Sequence, residues 1–488
     1  MYPFLRSTAA YLIWLITLSL VFSAFVFGPW LLSLGWPSTA FLTGAAAAVI
    51  GTAVAAMQRS QPAIPAWVER PGTWIAIVAA GCIVRLGWSA LCPATLISDP
   101  RDFYDLAMHV LSEGRYYSSV ATLGLDGQPN GPAVELRAWR PPGLPLLLAA
   151  WFWLFGAGSW AIIIFNVVVY AASALVLRSA ALRLIGPAGV APVQLFFAAW
   201  PKHIGYTPLP LTENLSLLLL VSGILLFDAA LAGSRRAKLY AGLVYGAVAL
   251  VRPSLVLLPG IWTGMAWVGA RSFRHQMLIV GTSVFIGLTV IAPWTVRNAM
   301  VLGHPVLIST NGGDVLYRAN NPQASGNWKP AGERDLAAQM HDEVQWNATG
   351  SAWAWEWIKS NPAAFAGLAI RKAGLLWGWE EEGILFPMHY PGLASASGGL
   401  ALAVCILMNL WWFTLLCAVA ASLIYQRTAL TQSSLALGLM MTVLLLTAVH
   451  MVYESHARYH MPFTGALILL ACTGLAGCGG TRPKLAAP

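Results

Sequence analysis

Three aspartates fall within seven residues in the stretch ISDPRDFYDLAMHVLSEG, at Asp99, Asp102 and Asp105, directly after an apolar run. Asp99 and Asp102 are three apart, so on a helix both face one space near its N-terminus. Asp105 either joins Asp102 or points to water. Two carboxylates facing one space suit general acid–base work, one taking a proton and the other orienting or assisting. A plainer role fits the same residues. Ser98 or Asp99 ahead of Pro100 makes a helix start, and the helix dipole favours acids in a first turn. Tyr104, Ala107 and Leu111 share the apolar face of this helix.

Cations recur at the ends of other apolar runs. RAWRPPGLPLLLA carries Arg137 and Arg140, WPKHIGYTPLPLTENL carries Lys202, His203 and Glu213, and LVRPS carries Arg252. ESHARYHMP adds Glu454, His456, Arg458, Tyr459 and His460. Each cation alone reads as a snorkelling side chain or a lipid-headgroup contact. Taken together with paired carboxylates, they describe a pocket for an anion beside a general base. A phosphate matches the forked geometry of arginine. Arg85 lies inside an apolar run, where a charge is costly and is normally functional or paired. The segment from Ser309 to Trp328 is rich in Gly and Asn and includes Tyr317 and Arg318. Its glycines allow tight turns and a close approach of backbone to a ligand.

These groups must be positioned by a membrane scaffold. Of 488 residues, 58% are hydrophobic and 10% charged, against about 25% charged in soluble domains. With a mean hydropathy of +0.67 and continuous apolar runs near 20 residues long, the chain reads as an all-α polytopic membrane protein. The runs do not alternate, which excludes a β-barrel. The net charge of +9 is scattered over helix ends with no basic stripe, which excludes nucleic acid as a partner. The six cysteines lie in or beside apolar runs without a CxxC pair, so neither disulfides nor a zinc site is expected.

Apolar runs fall near 10–32, 37–57, 72–92, 159–178, 187–201, 211–231, 238–251, 254–270, 276–294, 398–424, 433–452 and 461–478. The first is too long for a cleaved leader and reads as a retained span. Basic connections mark the cytoplasmic side. All of them fall there if twelve spans cross with the N-terminus inside. Segment 141–156 is short and proline-bounded and reads as a juxtamembrane or re-entrant helix; counted as a span it would make thirteen. The organisation expected is three N-terminal spans (1–92), a first outer loop with the acidic motif (93–158), central spans (159–294), a large outer loop (295–397), and C-terminal spans with a short cytoplasmic tail (398–488).

In this order and spacing, SDPRDFYDLA, RPPGLPLLLA with FG, PLTENL, VRPS, STNGGDVLYRANNPQASGNW, NPAAFAGLAIRKAGLLW and ARYHMPF resemble the GT-C superfamily of polytopic glycosyltransferases. The likeness is to the bacterial branch related to dolichyl-phosphate-mannose protein mannosyltransferases and the lipid A aminoarabinose transferase. It runs from about Asp99 to Pro462; the first two spans lie outside it. The resemblance implies a polyprenyl-phosphate monosaccharide donor and an envelope acceptor: glycolipid, polysaccharide or protein. It also implies transfer on the periplasmic face of a bacterial inner membrane. It matches Asp99 to the catalytic base, with Asp102 as the nearest second acid and either able to hold the role. It places Arg140 on the donor phosphate. Lys202, His203, Glu213, Arg252 and Arg458, with Tyr104 and Tyr317, complete the expected donor site. With this many cations no metal is required, although Mg²⁺ or Mn²⁺ would suit the carboxylates. Two other readings stay open. A flippase or transporter for lipid-linked sugars would need internal repeats and mid-membrane polar sites. A polysaccharide ligase or polymerase would use a lipid diphosphate.

Overall fold

The computed structural model describes residues 51–56, 59, 65–120, 134–268, 272–327, 336, 342–378, 380 and 398–475. The expected first span, most of the second and the C-terminal tail lie outside the described residues. In chain order the helices are α1 (Pro71–Leu91), α2 (Ser98–Glu113), α3 (Gly143–Phe155), α4 (Ser159–Leu184), α5 (Val190–Ala198), α6 (Pro201–Gly205), α7 (Thr212–Leu231), α8 (Arg235–Val251) and α9 (Leu258–Val268). They continue with α10 (Phe273–Leu302), α11 (Gly312–Ala319), α12 (Glu343–Ser360), α13 (Pro362–Trp377), α14 (Gly398–Tyr425), α15 (Arg427–Gln432), α16 (Ser434–Val452) and α17 (Met461–Leu475). A short antiparallel pair, β1 (Ser118–Val120) and β2 (Val134–Leu136), sits between α2 and α3 with Ser118 opposite Leu136.

Among the described residues, six helices are long and apolar enough to cross a membrane: α1, α4, α7, α10, α14 and α16. The other expected spans that fall in the described residues form shorter helices. Helix α3 has 13 residues, a rise of about 20 Å against a hydrocarbon core of about 30 Å, in keeping with a short helix over 141–156. The run expected as one span over 187–201 is broken. Gly186 takes φ 103°, Pro187 follows, α5 ends at Ala198, and Pro201 opens the separate α6. Neither proline supplies an N–H to an incoming helix, so the chain restarts twice.

Two charged ends define the bundle. Glu213 lies in the first turn of α7 and Asp228 fifteen positions later in its last, about 22 Å along the axis. Asp228 accepts hydrogen bonds from Arg183 of α4 and Ser434 of α16, tying three helices at one end. At the other end, α2, the start of α3 and the end of α8 meet a 3₁₀ turn at Ala457–His460, between α16 and α17. Helix α8 delivers Arg252 to that end. Its depth is set by the small-residue pair in GLVYG, which lets α10 approach closely. A Cβ on Gly242 would stand 2.6 Å from the Ser283 carbonyl, and one on Gly246 would stand 2.6 Å from that of Gly287.

Arg85 is fully buried, and among the described residues no carboxylate pairs with it. Its Nη1 donates to the carbonyls of Gly81 (3.1 Å) and Ala198 (3.2 Å), and its Nη2 to that of Phe197 (3.3 Å). The guanidinium stacks 3.6 Å over the Tyr170 ring and reaches His203 Nδ1 through Nε at 3.4 Å. The last carbonyls of α5 carry the negative end of that helix and have no partner within it. Arg85 is therefore a cap that holds α5 to α1.

Candidate active site

Helix α2 begins after Ile97, whose side chain makes no capping bond. The acids of its first turn are committed elsewhere, so the capping role open to them from sequence is not the one adopted. Ser98 has φ 51°, the left-handed region that a non-glycine residue seldom occupies. Asp99 lies just past this turn, with its carboxylate in the cluster below. Asp105 instead makes an exposed pair with Arg101 at 2.6 Å, one helical turn away, and belongs to the solvated face.

Asp99 bridges two arginines from distant parts of the chain. Its Oδ1 accepts from Arg140 Nη2 at 2.7 Å and its Oδ2 from Arg458 Nη2 at 2.6 Å. Arg140 Nε donates to Asp102 at 2.7 Å, so one guanidinium fork holds both carboxylates. Behind them Glu213 faces Arg252 at 3.8 Å and Arg458 at 4.0 Å. Arg140, Asp99, Asp102 and Arg458 each keep about a fifth of the side chain accessible, so a ligand can reach them. Burial alone would raise the Asp99 carboxyl. The two guanidiniums outweigh burial and hold it well below the usual carboxylate range.

The backbone ahead of Arg140 is clamped. Asp342 caps α12 by accepting from the amides of Val344 and Gln345, which fixes Glu343 in the first turn. The buried Glu343 accepts from the amides of Arg137 (2.6 Å) and Ala138 (3.0 Å) and from Thr310 Oγ1 (2.7 Å). Tyr116 donates its hydroxyl to the Arg140 carbonyl at 2.9 Å. The Gly-Asn segment has a packing reason for its glycines: a Cβ on Gly313 would strike the Asn347 carbonyl at 1.9 Å. Lys372 of α13 is buried and donates to Asn320 Oδ1 and to the Val452 carbonyl, both at 2.9 Å. That joins this segment to the end of α16.

A second arm extends from Arg458. The Tyr459 hydroxyl lies 3.3 Å from Arg458 Nη2 and donates to Glu454 Oε1. The other oxygen of Glu454 is 3.7 Å from Arg318 Nη2, and Arg318 Nε is 3.0 Å from Asp314. Burial raises the Asp314 carboxyl, against the lowering effect of Arg318. Asp314 was not singled out in the sequence. Its spacing of four from Arg318 on a helix was the available signal.

Of the expected donor-site residues, the structure brings together Asp99, Asp102, Arg140, Glu213, Arg252 and Arg458. It does not bring Lys202 and His203 to them. Lys202 pairs with Glu380 and donates to the Ala457 carbonyl at 3.0 Å, while His460 Nε2 meets Glu380 Oε1 at 2.6 Å. This cluster is essentially sealed, at 1–2% exposure, and underpins the turn that carries Arg458. Glu380 was missed because no pattern near it marks burial. His203 belongs with Arg85. Tyr104 packs on Phe152, with ring centroids 5.6 Å apart, and Tyr317 packs edge-on against Trp353 at 5.4 Å. Removing one partner of a buried ion pair leaves an uncompensated charge. Lys202→Met is therefore expected to cost about 3–5 kcal/mol of stability, read as a lower thermal midpoint, with Lys202→Met, Glu380→Gln regaining part of it. An unchanged midpoint with a raised KM for donor would return Lys202 to the ligand site.

A scan against protein-family models and a search of curated proteins both find no match. Among solved structures, the chain is similar to the oligosaccharyltransferase of Archaeoglobus fulgidus, in complex with Zn and sulfate (TM-score 0.49, 12% identity, 83% of this chain and 48% of that one). It is similar to AglB of the same organism with an inhibitory peptide and a dolichol-phosphate (TM-score 0.47, 10% identity, 82% and 50%). It is also similar to ArnT from Cupriavidus metallidurans bound to undecaprenyl phosphate (TM-score 0.41, 14% identity, 83% and 77%). The chain spans about half the length of the archaeal enzymes it matches.

Proposed function

We propose that this membrane protein is an inverting glycosyltransferase that moves a monosaccharide from a polyprenyl-phosphate donor to a hydroxyl of an envelope acceptor. The observation that carries the reading is the convergence of Arg140, Arg252 and Arg458, from three separate parts of the chain, on Asp99, Asp102 and Glu213 at one end of the bundle. Partly accessible arginines at the end of apolar helices fit a phosphate whose lipid tail stays in the membrane. Such a phosphate is the leaving group of the reaction. The acceptor oxygen attacks the anomeric carbon, the bond from that carbon to the phosphate oxygen breaks, and polyprenyl phosphate departs with the added negative charge. Fixed guanidiniums stabilise that charge in a site of low water content.

Asp99 is the base in this reading, with Asp102 assisting. While both its oxygens hold arginines, Asp99 is a weak proton acceptor. Donor phosphate recruits the guanidiniums, and the freed carboxylate takes the hydroxyl proton. Charge stabilisation then comes from the arginines, and no metal is required. The reading places the protein in a bacterial inner membrane with this end of the bundle facing the periplasm. Mass spectrometry of glycolipids and envelope polysaccharides from a deletion strain tests it. The expected result is one sugar missing from the envelope and polyprenyl-phosphate sugar accumulating. Accumulation of a lipid-diphosphate glycan would point to a ligase or polymerase instead.

A further inference from the structure

Beside the phosphate-binding arginines stands a polar group to which the reading above gives no work. Glu454 and Asp314 are buried, at 5% and 7% exposure, and Arg318 lies between them. Glu454 Oε2 makes no hydrogen bond: Arg318 Nη2, at 3.7 Å, pairs with it electrostatically but is too far to donate. A buried carboxylate oxygen left in this condition is costly unless a donor reaches it. The hydroxyl of Tyr459 sets the distance, touching Arg458 on one side and Glu454 Oε1 on the other. The unfilled acceptor is thus one side-chain hydroxyl away from a guanidinium of the phosphate site. A sugar ring esterified to a phosphate held by Arg458 brings its hydroxyls into that reach.

We infer that Glu454, Arg318 and Asp314 form the subsite for the ring of the donor sugar, and that it takes a sugar with no carboxylate of its own. The inference rests on the glycosyltransferase reading and names the part of that site that recognises the sugar. Sugar hydroxyls donate to Glu454 and Asp314 and accept from Arg318, which gives the fixed, charge-assisted contacts that discriminate between ring epimers. The restriction on class follows from charge. Among the described residues, the linked network holds five carboxylates against four guanidiniums. The donor phosphate adds a further negative charge. A uronate would place one more beside two buried acids, where like charges repel strongly.

The test compares two lipids binding to the full chain in nanodiscs: undecaprenyl phosphate, and undecaprenyl phosphate carrying glucose. Glu454→Gln should bind the bare lipid phosphate as the wild type does, which also shows that it folds. It should bind the glucosylated lipid about tenfold more weakly, the effect of one charge-assisted hydrogen bond. Tyr459→Phe, a milder change that removes only the intervening hydroxyl, should give a smaller loss confined to the glucosylated lipid. Equal losses for both lipids, or no loss for either, would overturn the subsite. Tighter binding of a glucuronate-bearing lipid than of the glucosylated one would overturn the assigned sugar class. A wild type that binds neither lipid would instead bring down the glycosyltransferase reading, and this subsite with it.

Discussion

Asp99→Asn is expected to abolish sugar transfer while tightening the hold on lipid phosphate. The carboxylate occupies one guanidinium nitrogen of each of Arg140 and Arg458, so any phosphate that uses those nitrogens must displace it. The amide keeps the shape but loses the charge. It competes less for the arginines, and affinity for undecaprenyl phosphate should rise roughly tenfold, the equivalent of one charge-assisted hydrogen bond. An amide is far too weak a base to accept a hydroxyl proton, so turnover should fall by about 10²–10⁴. Titration with lipid phosphate and single-turnover transfer read the two effects separately. Asp102→Asn should cost less, and Asp105→Asn should stay near wild type because its partner is the solvated Arg101. If Asp99→Asn transfers normally while Asp102→Asn is dead, the two acids exchange roles. If both are active, neither is the base.

Arg140→Ala carries the second large effect. Among the described residues, Arg140 is the guanidinium in contact with both Asp99 and Asp102. Its loss removes a phosphate ligand and leaves the two acids repelling each other. A fall of about 10²–10³ in kcat is expected, since a fixed charge counts most where negative charge develops. KM should rise as well, because the ground-state phosphate is also bound. Arg140→Lys should recover only part, as a point charge cannot serve two carboxylates through a planar fork. Wild-type kinetics in Arg140→Ala would remove the residue from the phosphate site.

How much of this was legible depends on the distance over which each residue finds its partner. Helices α1, α4, α7, α10, α14 and α16 follow from apolar length alone, because the membrane imposes that length. The break between α5 and α6 is marked by Pro201, yet overall hydropathy hid it. Arg140, Arg252 and Arg458 could be singled out because each ends an apolar run. Lys202 carried the same mark and went elsewhere, since its partner Glu380 lies 178 positions away and nothing local announces it. Arg85 drew attention through the cost of its burial. Its answer, the terminal carbonyls of α5, is a property of backbone that residue types do not display.

The bridge from Asp99 to Arg458 closes over 359 positions, whereas that from Asp99 to Arg140 spans 41. During synthesis, both members of the early pair have been made while most of the chain is still to come. The late member arrives only with the turn between α16 and α17. Until then Asp99 and Asp102 share the single guanidinium of Arg140, with one negative charge in excess. The second arm is delayed in the same way, because Glu454 and Tyr459 come from that late segment. The cluster at this end of the bundle therefore gains its second cation on Asp99, and becomes complete, only with the last described helices.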